Sequence, residues 1–387
     1  MGGETIDMTD LIRRRWLDND FYGTTFSVNY NKDKVDVIIG GGANKYEGDH
    51  FGEIIWAQYA SQSEIRDRYY DDFSSKTDVN IFAKINYQLT QKWRLFGDMQ
   101  YRNVGFKANG ADTGLVNDTF NFFNPKAGVT YVLNEKQNFY FSYAKANREP
   151  NRNDYENGNP KPEKLDDYEL GWRFSTEKTK LNVNGYFMKY KDQLVLTGEL
   201  NDVGAPVRAN SGDSYRLGLE VDATFKLTNK WFLQPNVTLS QNKNQDFVFQ
   251  RDGVFEDLGT TNIAFSPDLI AANRLVFMPI QNFQVSLLSK FVGEQYMGNI
   301  DAEISKLDSY FVNDLNASYE IVTKKVFKSI RIDVLVNNIF NLEYESNGYF
   351  YTYDDDFSNP GTVTTIEGNG FYPQAGINLL VGLTLLF

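Results

Sequence analysis

The sequence runs to 387 residues, 41% hydrophobic and 15% aromatic, with no cysteine, one histidine and a formal charge of −12. The absence of cysteine excludes disulfides and thiolate metal sites, and a lone His50 argues against a His-rich metal centre or a Ser–His–Asp triad. The acidic balance repels phosphate backbones, so nucleic acid is not an expected partner.

No run of about 18 apolar residues occurs, so no transmembrane helix is expected. Barrel strands stay open as a possibility, because their alternation keeps average hydropathy low. The length suits two ordinary domains or one large all-β unit. The opening MGGETIDMTDLIRRRWLDND lacks the apolar core of a secretory signal. The chain is therefore expected to be mature or to be part of something longer.

In chain order, alternation of apolar and polar residues predicts fifteen strands, over 23–31, 35–43, 76–89, 93–107, 121–133, 138–147, 166–176, 179–191, 213–228, 231–243, 267–278, 282–296, 309–322, 328–338 and 375–387. Side chains of a strand alternate between two faces. Ile81, Ala83, Ile85 and Tyr87 thus share one face against Asn80, Lys84, Asn86 and Gln88. Leu217, Leu219, Val221, Ala223 and Phe225 likewise oppose Arg216, Glu220, Asp222 and Thr224. The last stretch, QAGINLLVGLTLLF, sets Ile377, Leu379, Val381, Leu383, Leu385 and Phe387 on one apolar side. Helical periodicity never persists.

The connections alternate between short polar turns (31–34, 90–92, 134–137, 176–178, 228–230, 279–281, 322–326) and long segments (44–75, 108–120, 148–165, 192–212, 244–266, 297–308, 339–374). Many strands exceed the usual five or six residues, and crossing a bilayer obliquely takes about nine to eleven. Long strands, with tight turns at one end and large loops at the other, predict a transmembrane antiparallel up-and-down β-barrel. Soluble sandwiches and propellers use shorter strands. Trp93, Trp231, Tyr140, Phe283 and Tyr310 near strand ends fit interfacial girdles, or ordinary β-propensity. Apolar faces in lipid require every backbone group to pair within the sheet. An odd number of strands cannot close an antiparallel meander, so an odd number is expected to precede this chain.

Two stretches, YAKANREPNRNDYENGNPKPEKLDDYELGWRF (143–174) and VNNIFNLEYESNGYFYTYDDD (336–356) with FYPQAGINLLVGLTLLF (371–387), resemble the barrel of TonB-dependent receptors from Bacteroidetes-type bacteria. DLIRRRWLDNDFYG and GEIIWAQYASQSEIRDRYYDD fit the same pattern, and the resemblance spans essentially the whole chain. It implies a barrel of about 22 strands around a plug. Residues 1–387 then form one barrel domain, the C-terminal portion, without plug, TonB box or early strands. It further implies an outer-membrane receptor that imports a scarce ligand: an iron–siderophore, haem, cobalamin or a glycan. The implied partners are outer-membrane lipid, the TonB–ExbB–ExbD complex through the missing N-terminal part, and the barrel-assembly machinery, with Phe387 as its signal. No catalytic residue, metal or cofactor is implied. A passive porin-like channel is the alternative.

Two loops carry the ligand-binding candidates. In 148–165, Arg148, Glu149, Arg152, Asp154 and Tyr155 stand at the expected barrel mouth, where arginine would fork onto an anionic ligand. The plainer reading is an ion-pair network between loop and wall. Pro150, Pro160 and Pro162 predict a stiff loop. In 339–374, six acidic residues and no Lys or Arg accompany Tyr349, Tyr351 and Tyr353. Aromatic faces beside carboxylates suit a sugar or chelate ring, and a solvated acidic tip is the alternative. Asp354–Asp356 lacks the spaced ligands of a Ca²⁺ loop. Gly40–Gly42 precedes no helix that would hold phosphate, so a bulge or bend is expected there. His50 is expected in a solvated loop. Asp71–Asp72 and Asp166–Asp167 read as loop or strand-end charge.

Overall fold

The computed structural model describes residues 8–59, 64–111, 113–200, 206–323 and 326–387. β1 (Leu11–Lys32), β2 (Val35–Ala57), β3 (Arg68–Gln88), β4 (Trp93–Gly110), β5 (Gly114–Asn134), β6 (Gln137–Arg148), β7 (Glu163–Ser175) and β8 (Thr179–Lys191) follow in order. A hairpin of β9 (Leu194–Leu200) and β10 (Pro206–Asn210) precedes β11 (Asp213–Lys226) and β12 (Trp231–Asn244). The next connection holds the hairpin β13 (Val248–Arg251) and β14 (Val254–Asp257), then β15 (Thr261–Asn262). After β16 (Leu269–Ile280) and β17 (Phe283–Val292), β18 (Gln295–Tyr296) pairs with β19 (Lys306–Leu307). β20 (Tyr310–Val322) and β21 (Ser329–Asn337) lead to the hairpin β22 (Glu345–Asp355) and β23 (Thr364–Pro373), then to β24 (Asn378–Leu386).

The main sheet runs β1-β2-β3-β4-β5-β6-β7-β8-β11-β12-β16-β17-β20-β21-β24, with β15 attached to β12. Each strand expected from alternation is on this path, in chain order. The boundaries differ most near the start, where β1 begins at Leu11 rather than 23. Most of 44–75 is not loop: β2 and β3 stay paired from Val35↔Tyr87 out to Glu53↔Arg68. Likewise 108–120 is mostly strand, with a short turn between β4 and β5. Over 44–50, β2 has Lys45, Glu47 and Asp49 on one face and Asn44 and His50 on the other, and alternation disappears as a signal when neither face is apolar. His50, expected in a loop, therefore lies in β2.

The triple glycine also corrects the sequence reading. Its register is continuous, with Gly40↔Phe82, Gly41↔Ile81 and Gly42↔Asn80, so no bulge occurs. A Cβ on Gly40 would fall 2.7 Å from the Phe82 ring, and one on Gly41 would fall 3.1 Å from Phe26. Glycine here makes room for aromatic rings.

The short turns have a local cause. The hydroxyls of Thr90 and Thr228 each accept two backbone N–H bonds, from Lys92 and Trp93 and from Lys230 and Trp231, all at 3.1 Å. Thr176 accepts from the Thr179 amide at 3.0 Å. A threonine side chain thus mimics a turn carbonyl and fixes where the strand reverses. Asp33 supplies the positive φ, 51°, that the two-residue turn between β1 and β2 requires.

The chain divides into two compact units, 1–87 with 97–125 and 146–162, and 88–96 with 126–145 and 163–387. In the first, β1, β2 and β3 carry an apolar stripe in register, Val28↔Ile39↔Ala83 and Tyr30↔Val37↔Ile85. This stripe is open to solvent, with Val28 65% and Ile81 54% exposed. In water each such side chain would forgo about 1.5–3 kcal/mol of transfer free energy. On the opposite face, Asp72 and Ser74 are buried. In the second unit the connecting hairpins have a core of their own, formed by Val195, Phe247, Phe249, Met297, Ile300, Leu307 and Phe350.

Candidate functional site

The connection after β6 is latched to the polar face of the first unit. Asn151 caps a short 3₁₀ helix (Arg152–Asn157), accepting from the amides of Asn153 (2.9 Å) and Asp154 (3.3 Å). Asp154 Oδ2 accepts the Asn151 amide at 2.7 Å in return. This reciprocal box satisfies N–H groups that a helix start otherwise leaves bare. Asp154 is only 2% exposed, and its carboxylate closes this box.

Arg152 donates from Nη1 to His50 Nδ1 at 2.9 Å and from Nη2 to Asp72 Oδ2 at 2.8 Å. Guanidinium has no acceptor, so His50 Nδ1 accepts and its proton sits on Nε2, which meets Asn19 Oδ1 at 3.0 Å. Glu149 is buried and takes a bidentate fork from Arg102, at 2.7 and 2.9 Å, and Lys76 Nζ at 2.6 Å. Burial alone would push the Glu149 carboxyl up, but the bonds from Lys76 and Arg102 hold it below the usual carboxylate range. Tyr155 packs on Phe106 with ring centroids 5.3 Å apart and donates to Asp118 Oδ2 at 2.8 Å. Burial, with that bond to a carboxylate, raises its phenol above the ordinary value.

The structure thus brings Arg152, Asp154 and Tyr155 together, as members of a loop–wall network. Arg148 ends β6 and is exposed. Asp72, at a position read from sequence as loop charge, lies in β3 and anchors this network.

The tyrosine candidates belong to the second unit, and they lie on a strand instead of an irregular loop. β22 sends Phe350 and Thr352 into the hairpin core and leaves Tyr349, Tyr351 and Tyr353 on the opposite face. Their rings form a parallel series, 6.3 and 6.4 Å between centroids and inclined by 20° and 13°. Tyr372 of β23 joins at 5.9 Å from Tyr349. The register sets Tyr349 opposite Gly370 and Tyr351 opposite Gly368, and each ring lies across its partner glycine. A Cβ there would fall 2.4 and 2.5 Å from the ring atoms, so only glycine lets the tyrosines lie over the sheet. Tyr349, Tyr353 and Tyr372 remain about half exposed.

The neighbouring acids make local bonds. Asp354 accepts the Thr365 hydroxyl at 2.6 Å, and Asp355 accepts the Phe357 and Ser358 amides. Among the described residues no group of three or more acidic or histidine side chains is placed to hold a metal ion.

Sequence reasoning missed the residue that ties the hairpins together. Asn299, 3% exposed, accepts from the Ala264 amide (2.9 Å) and from Asn244 Nδ2 (3.3 Å), and donates to the Leu196 carbonyl at 2.7 Å. These partners come from two connections, 192–212 and 244–266, both far from Asn299 in sequence, so no local signal marks it. Phe387 is exposed and touches Phe327, with 5.0 Å between ring centroids.

Residues 4–342 match a family described as "TonB dependent receptor-like, beta-barrel". No protein of curated function matches the sequence. Among solved structures, the copper transporter OprC superimposes with a TM-score of 0.72 at 18% identity, over 97% of this chain and 57% of that one. The ferric citrate transporter FecA in its unliganded form gives 0.66 at 17% identity, over 97% and 55%. The siderophore receptor PiuA from Acinetobacter baumannii gives 0.65 at 13% identity, over 96% and 56%. The chain therefore spans about half the length of the structures it matches. At these identities the likeness is one of fold.

Proposed function

The chain belongs to the TonB-dependent receptor β-barrel family, and from that membership we propose that it forms wall and ligand-facing loops of a Gram-negative outer-membrane importer. In this reading the exposed apolar stripe meets lipid. The barrel is completed to about 22 strands around a plug, and import draws energy through TonB–ExbB–ExbD. No bond is made or broken.

The observation that carries the reading beyond the fold is the tyrosine series of β22. Half-exposed aromatic rings, held in place by opposing glycines on a sheet with its own core, are preorganised for ligand contact. Structural neighbours import copper, ferric citrate and siderophores, and their ligands do not transfer at such identity.

The test is accumulation in intact cells with and without the gene, using ferric siderophores, haem, cobalamin and oligosaccharides as probes. At least one probe should accumulate only when the protein is present and the inner-membrane proton gradient is intact. Protein-dependent entry that survives collapse of the gradient would instead identify a passive channel.

A further inference from the structure

A cavity of about 490 Å³ lies within the second unit, between the β9–β10 hairpin and the β13–β14 hairpin. One wall is Val195, Thr197 and Ala209, with Ala209 directly opposite Val195 in the ladder. The other is Val248, Gln250 and Phe255, which share a hairpin face because Gln250 pairs with Phe255. We propose that this cavity binds an uncharged or cationic group carrying one or two rings.

Three observations carry the proposal. The walls are preformed: Val195, Phe247 and Phe249 line the cavity and are also buried members of the hairpin core. Opening or collapsing the space would disrupt that core, and interiors of this kind resist collapse. Next, Phe255 and Val248 face the cavity while 74% and 55% exposed. That exposed apolar surface is available to a ligand. Finally, among the described lining residues one side chain is ionisable, Asp246, and none is Lys or Arg. An anionic chelate would bring a second negative charge into a partly apolar space with no counter-charge, which is unfavourable. The volume lies within the usual range for small-molecule sites, about 300–1,000 Å³. The inference deepens the uptake reading, on which its physiological meaning rests, by naming a ligand class.

The chain has no native cysteine, so Val248→Cys gives these residues their one thiol, at the cavity, for capture in outer-membrane preparations. Mixed disulfides of 2-phenylethanethiol, its 4-carboxy and 4-trimethylammonio derivatives and hexanethiol are equilibrated against excess 2-mercaptoethanol. Intact mass then gives the fraction captured. The phenyl and trimethylammonio probes should exceed the carboxylate by about tenfold, and the phenyl probe should exceed hexyl. Asp246→Asn should remove the discrimination against carboxylate, and Phe255→Ala should remove the preference for a ring. Equal capture of all probes, or a pattern unchanged by both substitutions, would overturn the proposal. Should Val248→Cys fail to assemble, Gln250→Cys on the same face gives the same readout. Capture does not depend on transport, so failure here is separable from failure of the uptake reading.

Discussion

Glu149 shows how one side chain couples a connecting loop to the sheet. It is buried, yet three charge-assisted bonds from Lys76 and Arg102 keep it ionised. A carboxyl held below its unfolded pKa contributes stability that is fully present above the unfolded value, about 4.3, and is lost as pH falls through the lower folded value. Protection of the 149–162 amides, corrected for intrinsic exchange, should therefore be flat from neutrality to the ordinary carboxylate range and fall only below it. Glu149→Gln should lower protection at neutral pH and abolish the acid dependence, as measured by hydrogen exchange. Unaltered protection in this variant would show that Arg152 and Tyr155 hold the loop without it. The charged residues of this loop were conspicuous in the sequence, but sequence could not distinguish a ligand site from a latch. That distinction rests on Asp72, Lys76 and Arg102, which come from other strands.

At the scale of elements, the hairpins between the long strands of the second unit behave as one assembly. Asn299 joins β9 through Leu196, and β12 and the β15 connection through Asn244 and Ala264. Asn299→Leu keeps the side chain's size and strands those groups, at a cost of about 1–3 kcal/mol for each buried group left unpaired. Amide exchange should rise together in 194–200, 242–264 and 297–305. A rise confined to 297–305 would show that the hairpins are independent. Alternation in Tyr349–Tyr353 was plain in the sequence, and a period of two assigns Phe350 and Thr352 to the opposite face. Which face would be buried was not legible, because Met297, Val195 and Phe247, distant in the chain, supply the core against which Phe350 packs.

For the molecule as a whole, the proposed contact between the apolar stripe and lipid is tested by stability in a bilayer. Ile81→Arg places a charge on that stripe and should cost about 2–4 kcal/mol if it sits at the membrane midplane. Asn86→Arg, on the opposite face beside Asp36, should be nearly neutral. Urea titration of the protein refolded into lipid vesicles measures both. Equal costs for the two substitutions would mean that neither face meets hydrocarbon.

The sequence by itself determined the fifteen long strands, their order, most of their turns and the apolar face, because each depends on period-two patterning or on a local turn residue such as Thr90 or Thr228. It did not reveal how far β2 and β3 continue, since strands polar on both faces lose their period. Only the tertiary structure decided that Arg152 and Tyr155 latch a loop, that Asn299 ties three connections, and that a cavity opens beside Phe255. Each of these arises from side chains scores of residues apart, brought together by strand pairing and never by neighbouring sequence.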